Sequence, residues 1–550
     1  MKSIEIPQPS ERGWRYRALE IFPVAFSLTV LLTPVVLSLI SLNLAAFFIL
    51  VYLLFWFVRI MGQNVRSLQG HRIMNIHKKI QWKHLNEDLE SLEPNAERAP
   101  KWHARNLARV KQYIPQEQRI KPSQLFHAII VAFYNESKEI LEPTIQSILA
   151  SDYDAKKFIL YLAYEERGGP EAEELANYLV KEYGSRFYHA EAVKHPKNIE
   201  GEIRGKGGNV TFSGRRLEQF AKQRKIDPLH VLVTTLDADN RPDKKFFGAL
   251  TYTYCSTEEP KYSSYQPIQV YNNNIWDAPA PMRVIATGNT FWNLFFSMRP
   301  HVLRNFSSHA QPLAGLIDTN YWSVRTIIED GHQYWRSYLR FDGHYEVYPI
   351  FVPIYQDAVL ADSMKRTLKV QYLQVRRWAW GASDIAYVVY KGFLTKNKVP
   401  KHKLIPRLGR LVEDHITRTT APPILLGAAL VPFFISQQSY LSNQLPQIAR
   451  WVQTVAMVGI LVSIYLGFSI LPPKPERYKR HRSLLMVVQW IYLIPSTFIY
   501  GASAAIDAQV RLALGRYLGF QVTDKAVRTD EEEARKLRWY RRMLHAFKRA

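Results

Sequence analysis

The chain has 550 residues, with 72 Lys and Arg against 48 Asp and Glu, a formal net charge of +24. Its single cysteine, Cys255, excludes an internal disulfide and a cysteine-rich metal site. Hydrophobic residues make up 47% of the sequence while mean hydropathy is only -0.20, a balance that fits a polar domain spliced to apolar segments. The excess of positive charge implies an anionic partner, whether nucleic acid, a membrane surface or an anionic substrate.

Residues 1–62 open with a polar stretch carrying Arg12, Arg15 and Arg17. From Ile21 to Val58 no residue is charged, about twice the ~20 residues needed to cross a bilayer. Ser38, Ser41 and Asn43 mark the middle, so the pattern predicts a hairpin of two membrane helices, 21–40 and 43–60. The run is too long for a cleaved leader. Arginines and lysines flank both ends, which places both ends in the cytoplasm. Residues 63–120 are basic, with helical spacing and interspersed Trp82, Trp102 and Tyr113. They read as helices on the membrane surface or, equally, as a connector.

Residues 121–400 have an α/β texture. Strands are predicted at Leu125–Phe133, Phe158–Ala163 and Val231–Thr235, with helices at Ser137–Ala150 and Pro170–Tyr183. Strands alternating with helices argue for a mostly parallel sheet with covered faces. Residues 401–516 turn apolar again, at Pro422–Ile435, Ile448–Leu471 and Leu484–Ala505. The link between the last two is strongly basic and therefore cytoplasmic, as is the tail 517–550. Three simple crossings would leave that tail outside, so 484–516 is expected to bend into a re-entrant or interfacial hairpin, with its irregular backbone covered by protein.

Four short motifs stand in order. Tyr134-Asn135-Glu136 ends the first strand. Asp237-Ala238-Asp239 ends the strand beginning at Val231, at the lip where open α/β sheets bind ligands. Hard carboxylate oxygens there suit Mg²⁺ or Mn²⁺, although an acidic turn is also ordinary solvated loop. Glu329-Asp330 fits a reactive acid or a helix N-terminal acidic pair. Gln374, Arg377 and Trp378 fall at i, i+3 and i+4, one face of a helix. A guanidinium there suits a pyrophosphate, an indole suits the CH face of a sugar, and Trp378 with Trp380 equally suits a lipid interface. Gly205-Lys206-Gly207-Gly208 reads as a phosphate-contacting turn or a plain loop. The histidines are scattered without metal-ligand spacing.

Together these motifs resemble the membrane-bound family 2 glycosyltransferases, the cellulose, hyaluronan and chitin synthases and their bacterial relatives, over about residues 125–530. The segment Phe520-Gln521-Val522-Thr523-Asp524-Lys525 is similar to the FxVTxK gating loop of cellulose synthases. The resemblance implies a GT-A domain, α/β with a mixed, mostly parallel sheet and flanking helices, inserted between N- and C-terminal transmembrane helices. It implies an inverting transfer from a nucleoside-diphosphate sugar, UDP-sugars being favoured, to a glycan acceptor, with processive polymer synthesis as one form. Single-sugar transfer to a lipid-linked acceptor is the enzyme alternative, and a catalytically dead membrane scaffold is the alternative of a different class.

The roles implied are Asp330 as base; Tyr134, Glu136, Lys206 and Asp237 on the donor; and Asp239 on a Mg²⁺ or Mn²⁺ ion. Glu329, Gln374, Arg377 and Trp378 would face acceptor and diphosphate, and Phe520, Val522, Thr523 and Lys525 would form the loop. The implied location is a multi-pass protein of the plasma or inner membrane with a cytoplasmic catalytic domain. Two departures stand out. Ala163-Tyr164-Glu165-Glu166-Arg167 replaces the Asp-rich stretch of many relatives, and no cyclic-dinucleotide-binding domain fits after 530. Nucleic acid is set aside, because the basic residues cluster beside apolar segments, where lipid headgroups explain them.

Overall fold

The computed structural model describes residues 4–95, 99–437, 439–478, 481–519 and 525–526. Among them eight strands form one sheet: β1 (Phe126–Phe133), β2 (Phe158–Glu165), β3 (His189–His195), β4 (Val231–Asp237), β5 (Arg241–Pro242), β6 (Ser263–Tyr271), β7 (Ala310–Pro312) and β8 (Glu346–Gln356). Their order is β3-β2-β1-β4-β7-β6-β8-β5. The β3-β2-β1-β4 half is wholly parallel, β7 runs antiparallel to its neighbours β4 and β6, β6 and β8 pair in parallel, and β5 is an antiparallel edge.

Strand β1 shows why the sheet is covered on both sides. Its alternate residues Ile129, Val131 and Phe133 pack with Leu141, Ile145, Ala176 and Leu179 of the helices Lys138–Leu149 and Pro170–Tyr183. The residues between them, Ala128, Ile130 and Ala132, pack with Val210, Leu217 and Phe220 of the helix Lys206–Gln223 on the other face. Period-two alternation thus feeds two cores, as expected for a sheet buried on both faces. His127 is fully buried within β1 with a ring nitrogen 2.8 Å from Thr251 Oγ1, and burial pushes its pKa down to about 3, so it is a neutral core residue.

The helix predicted to end near 60 continues, as Leu42–His77. The helices of the 63–120 region, Trp82–Ser91 and Lys101–Tyr113, turn Leu85, Leu89, Leu107 and Val110 into the core under the sheet. His103, with ring nitrogens 3.0 Å from Asp88 and 2.8 Å from the Tyr252 hydroxyl, ties both helices to the domain. These helices are connectors packed on protein.

Five helices among the described residues are long and apolar enough to cross a membrane: Trp14–Ile40, Leu42–His77, Lys401–Ile435, Tyr440–Ser469 and Arg482–Ala513. The last is helical throughout, with a π-helical stretch at Thr497–Ser503 just after Pro495. Both of its ends lie against the rest of the chain's polar part. Arg482 donates to the Trp276 carbonyl at 2.7 Å, and the Ala513 carbonyl accepts from Arg17 at 2.7 Å. Between them Asp507 accepts from Arg376 at 2.9 Å.

The helix Lys206–Gln223 approaches its neighbour through a glycine. A Cβ on Gly207 would lie 2.2 Å from the Ser323 carbonyl oxygen, a backbone atom that cannot swing aside. Gly207→Ala is expected to lower the melting temperature by the equivalent of about 1–3 kcal/mol, read by thermal unfolding of the detergent-solubilised protein; an unchanged melting temperature would contradict this packing.

Candidate active site

The C-terminal ends of β1, β2 and β4 share one lip, because Ala132 lies opposite Asp237 and Phe133 opposite Tyr164 in register. The turn after β1 is closed by Glu136, whose carboxylate accepts from the backbone N–H of Tyr134 at 2.7 Å and of Asn135 at 3.2 Å. Glu136 therefore shapes the turn that presents Tyr134.

Asp237 and Asp239 each hold a lysine. Lys206 donates to Asp237 Oδ1 at 2.6 Å, and the Ser307 hydroxyl donates to its Oδ2 at 2.8 Å. Lys525 donates to Asp239 Oδ1 at 2.6 Å, and the Asp357 N–H donates to its Oδ2 at 3.0 Å. Burial opposes ionisation of Asp237, but the ammonium groups of Lys206 and Lys525 outweigh it and hold its carboxyl well below the usual carboxylate range. Lys206 is not in a glycine-rich loop; it is the first residue of the helix Lys206–Gln223, with Gly205 as its N-cap. Lys525 reaches the site from the far end of the chain, where it bridges in parallel with Leu360. The other loop residues named from the sequence, Phe520, Val522 and Thr523, lie outside the described residues.

Glu329 and Asp330 open the helix Glu329–Arg340. That helix is fixed from below: His332 is 2.6 Å from Asp384, and the buried Arg336 reaches the Thr319 carbonyl at 3.0 Å and Glu5 at 3.2 Å. Asp330 Oδ1 accepts from the Gly331 N–H at 2.7 Å. Glu329 is buried. Burial first, then the charge of Asp330, raises its pKa from 4.5 to about 8, against the pull of Lys206 and Arg377. Gln374, Arg377 and Trp378 lie on the helix Met364–Ala379, all half-buried. Its neighbouring Arg376 points elsewhere, to Asp507.

One cavity of about 670 Å³ joins these groups. Its wall includes Tyr134, Glu136, Lys206, Asp237, Asp239 and Lys525, then Glu329, Asp330, Gln374, Arg377 and Trp378, and also Trp292, Arg304, Asp414, His415 and Arg418. Glu165 also lines it, but is tied to Arg167 at 3.2 Å and His195 at 3.1 Å. His195 also meets Glu202 at 3.0 Å. Burial works against its protonation, yet the two carboxylates outweigh burial and push its pKa up to about 9. Asn273 donates to the Asp239 carbonyl at 3.0 Å, which fixes the turn.

Sequence reasoning missed Asp357 and Ser307. Asp357 follows β8 at the same lip, and its Oδ1 is buried without a hydrogen bond. Burial and the neighbouring Asp239 raise its pKa to about 7. Neither residue belongs to a periodic pattern, and only the long-range pairing of β8 with β6 and β5 brings Asp357 here. Among the described residues no three His, Cys, Asp or Glu side chains are grouped so as to hold a metal ion by themselves. The donor set still suits a cation: Asp239 already accepts one, as the Lys525 ammonium, and a buried carboxylate oxygen of Asp357 beside it has no partner.

The raised pKa of Glu329 has a signed consequence. The folded chain keeps a proton on Glu329 up to about pH 8, whereas the ordinary value is 4.5. Folded protein therefore binds more protons between those values, and stability falls as pH rises through that window. Glu329→Gln is expected to flatten this fall, measured as melting temperature against pH across the interval; a slope equal to that of the wild type would exclude Glu329 as its source.

No family model matches the sequence, and no curated protein matches it. Among solved structures the chain is similar to the mannosyltransferase PcManGT from Pyrobaculum calidifontis in complex with GDP-Man and Mn²⁺, at 14% identity and a TM-score of 0.39, covering 74% of this chain and 98% of that one. It is also similar to S. aureus TarS 1-349 in complex with UDP-GlcNAc, at 12% identity and a TM-score of 0.35, covering 73% of this chain and 95% of that one. TM-scores this low mark a likeness too loose to carry a function across.

Proposed function

We propose that the protein is a membrane-embedded, inverting glycosyltransferase of the family 2 type, with a GT-A catalytic domain, that moves a sugar from a nucleoside-diphosphate donor to an acceptor hydroxyl. The observation that carries the reading is the single cavity in which two lysine-bound aspartates, Asp237 and Asp239, share space with Asp330 and the Gln374-Arg377-Trp378 face. Acids and cations gathered in one cleft suit a reaction that moves both a proton and a diphosphate.

In this reading the acceptor hydroxyl attacks the anomeric carbon from the Asp330 side. Asp330 takes its proton, the new glycosidic C–O bond forms, and the old bond to the β-phosphate oxygen breaks with its electrons leaving on the nucleoside diphosphate. Attack opposite the leaving group inverts the anomeric centre. Lys206 and Arg377 face the charge that develops on the diphosphate. Asp237 and Asp239 are the residues that would hold Mg²⁺ or Mn²⁺, which supplies further charge neutralisation at that leaving group when bound. Lys525, seated on Asp239, would then turn to the diphosphate. Trp378 offers an apolar plate to the acceptor ring.

The membrane part reads as four crossings plus one interfacial helix. Glu5 and Lys525, near the two ends, both contact the catalytic domain, at Arg336 and Asp239, so an even number of crossings lies between them. The helix Arg482–Ala513 has both ends on the domain's side and is the one that does not cross. Cysteines introduced at Ser436 and Arg516 test this with a membrane-impermeant maleimide. Ser436→Cys is expected to label in intact cells and Arg516→Cys only after permeabilisation; the reverse at Arg516 would add a fifth crossing.

Activity is tested by nucleotide release from a panel of UDP- and GDP-sugars with Mg²⁺ or Mn²⁺. Asp330→Asn is expected to lower transfer by about 10²–10⁴-fold with an unchanged melting temperature and unchanged UDP binding. Full activity in that variant removes Asp330 from the base role.

A further inference from the structure

One stretch of the cavity wall has an electrostatic character that the transfer step leaves unexplained. It is bounded by the helix Lys401–Gly427, which contributes Leu411, Asp414, His415 and Arg418. Arg418 is the last charged side chain before Arg450, so it marks the level where this helix passes from polar to apolar. That is the depth of lipid headgroups. An ionisable side chain of a membrane helix that faces a cavity marks a ligand path.

The charges around Arg418 do not cancel. Arg59 pairs with Glu413 and lies 3.8 Å from Asp414. Arg304 is 3.5 Å from Asp414, with its guanidinium 5.3 Å from the centre of the Trp335 ring. With Arg410 3.1 Å from Glu413, four arginines thus face two carboxylates, both already engaged. Arg418 is half-buried and makes no hydrogen bond or ion pair with the described residues. It opens into the same cavity as Asp330 and Trp378. A neutral sugar chain would need the Trp faces of this lobe and would leave a partly desolvated guanidinium uncompensated. A phosphate would match it, since guanidinium and phosphate pair in a fixed, two-pronged geometry.

We propose that Arg418, assisted by Arg304, receives the phosphate of a lipid-linked acceptor, whose hydrocarbon lies among the apolar helices and whose sugar hydroxyl faces Asp330. This deepens the transferase reading and rests on it, selecting a lipid phosphate acceptor over a free glycan. Arg418 acts here as a specificity-determining residue, remote from the bond that breaks.

The test uses the full chain in phosphatidylcholine nanodiscs doped with polyisoprenyl phosphate, with the uncharged polyisoprenol, or with phosphatidylglycerol, and native mass spectrometry to count chains carrying each lipid. Polyisoprenyl phosphate is expected to be retained over both comparators. Arg418→Gln is expected to weaken that retention about 10- to 100-fold, the range of one charge-assisted hydrogen bond, and Arg418→Lys to restore part of it. UDP binding to each variant verifies folding. Equal retention of the alcohol, equal retention of phosphatidylglycerol, or wild-type retention by Arg418→Gln would each overturn the proposal. Nucleotide release on the same preparations separates the two readings. Discrimination for the phosphate without any transfer would sink the enzyme reading alone, and transfer without discrimination would sink the acceptor phosphate alone.

Discussion

Two lysine–aspartate pairs in the cavity wall hold the site together. Carboxylates taken out of water are costly unless compensated, and Asp237 and Asp239 are compensated from opposite directions. Lys206 comes from the first turn of a helix covering one face of the sheet, and Lys525 comes from the far end of the chain. Each pair joins an acid at the end of β4 to a distant segment, so the packing of that helix and the docking of the C-terminal segment both depend on them. The same ammonium groups that neutralise the carboxylates are placed where a diphosphate would bring its own negative charge. A ligand of that kind would take over a compensation already present in the protein.

The sequence made one half of this site legible and hid the other. Asp237, Asp239, Glu329, Asp330, Gln374, Arg377 and Trp378 each stand in a short contiguous motif, and a helix or strand boundary places such a motif almost by itself. Three of the four parallel strands were readable for the same reason, since β1, β2 and β4 are short β-branched or aliphatic runs, whereas the polar β3 was not. Asp357 and Ser307 were not readable. They reach the site only because β8 pairs with β6 across some eighty intervening residues and because β7 inverts beside β4. Lys206 was misjudged locally, its three nearby glycines suggesting a loop. They instead permit a close helix approach, with Gly207 against the Ser323 carbonyl and Gly208 against Glu202 and His195.

The helices Trp82–Ser91 and Lys101–Tyr113 turn the stripe Leu85, Leu89, Leu107 and Val110 into the core, where burying aliphatic side chains stabilises their docking on the domain. The helix Met364–Ala379 divides its two adjacent arginines. Arg376 pairs with Asp507 and joins the α/β domain to the last apolar helix, while Arg377 turns to the cavity. Adjacent residues on a helix point about 100° apart, so one helix both anchors and serves the site.

Glu20 carries a consequence for how the chain is made. It is almost fully buried in the first apolar helix, paired with Arg12 and Arg17, and it also accepts from the Tyr517 hydroxyl at 3.0 Å. Its two arginines are synthesised just before it, so the helix enters the bilayer with this acid already neutralised. Tyr517, and the Leu512 and Ala513 carbonyls that receive Arg17, are made only after the whole α/β domain. The first helix must therefore wait at the membrane until that domain has been synthesised before its docking surface exists, so this closure follows the domain's emergence in the order of assembly.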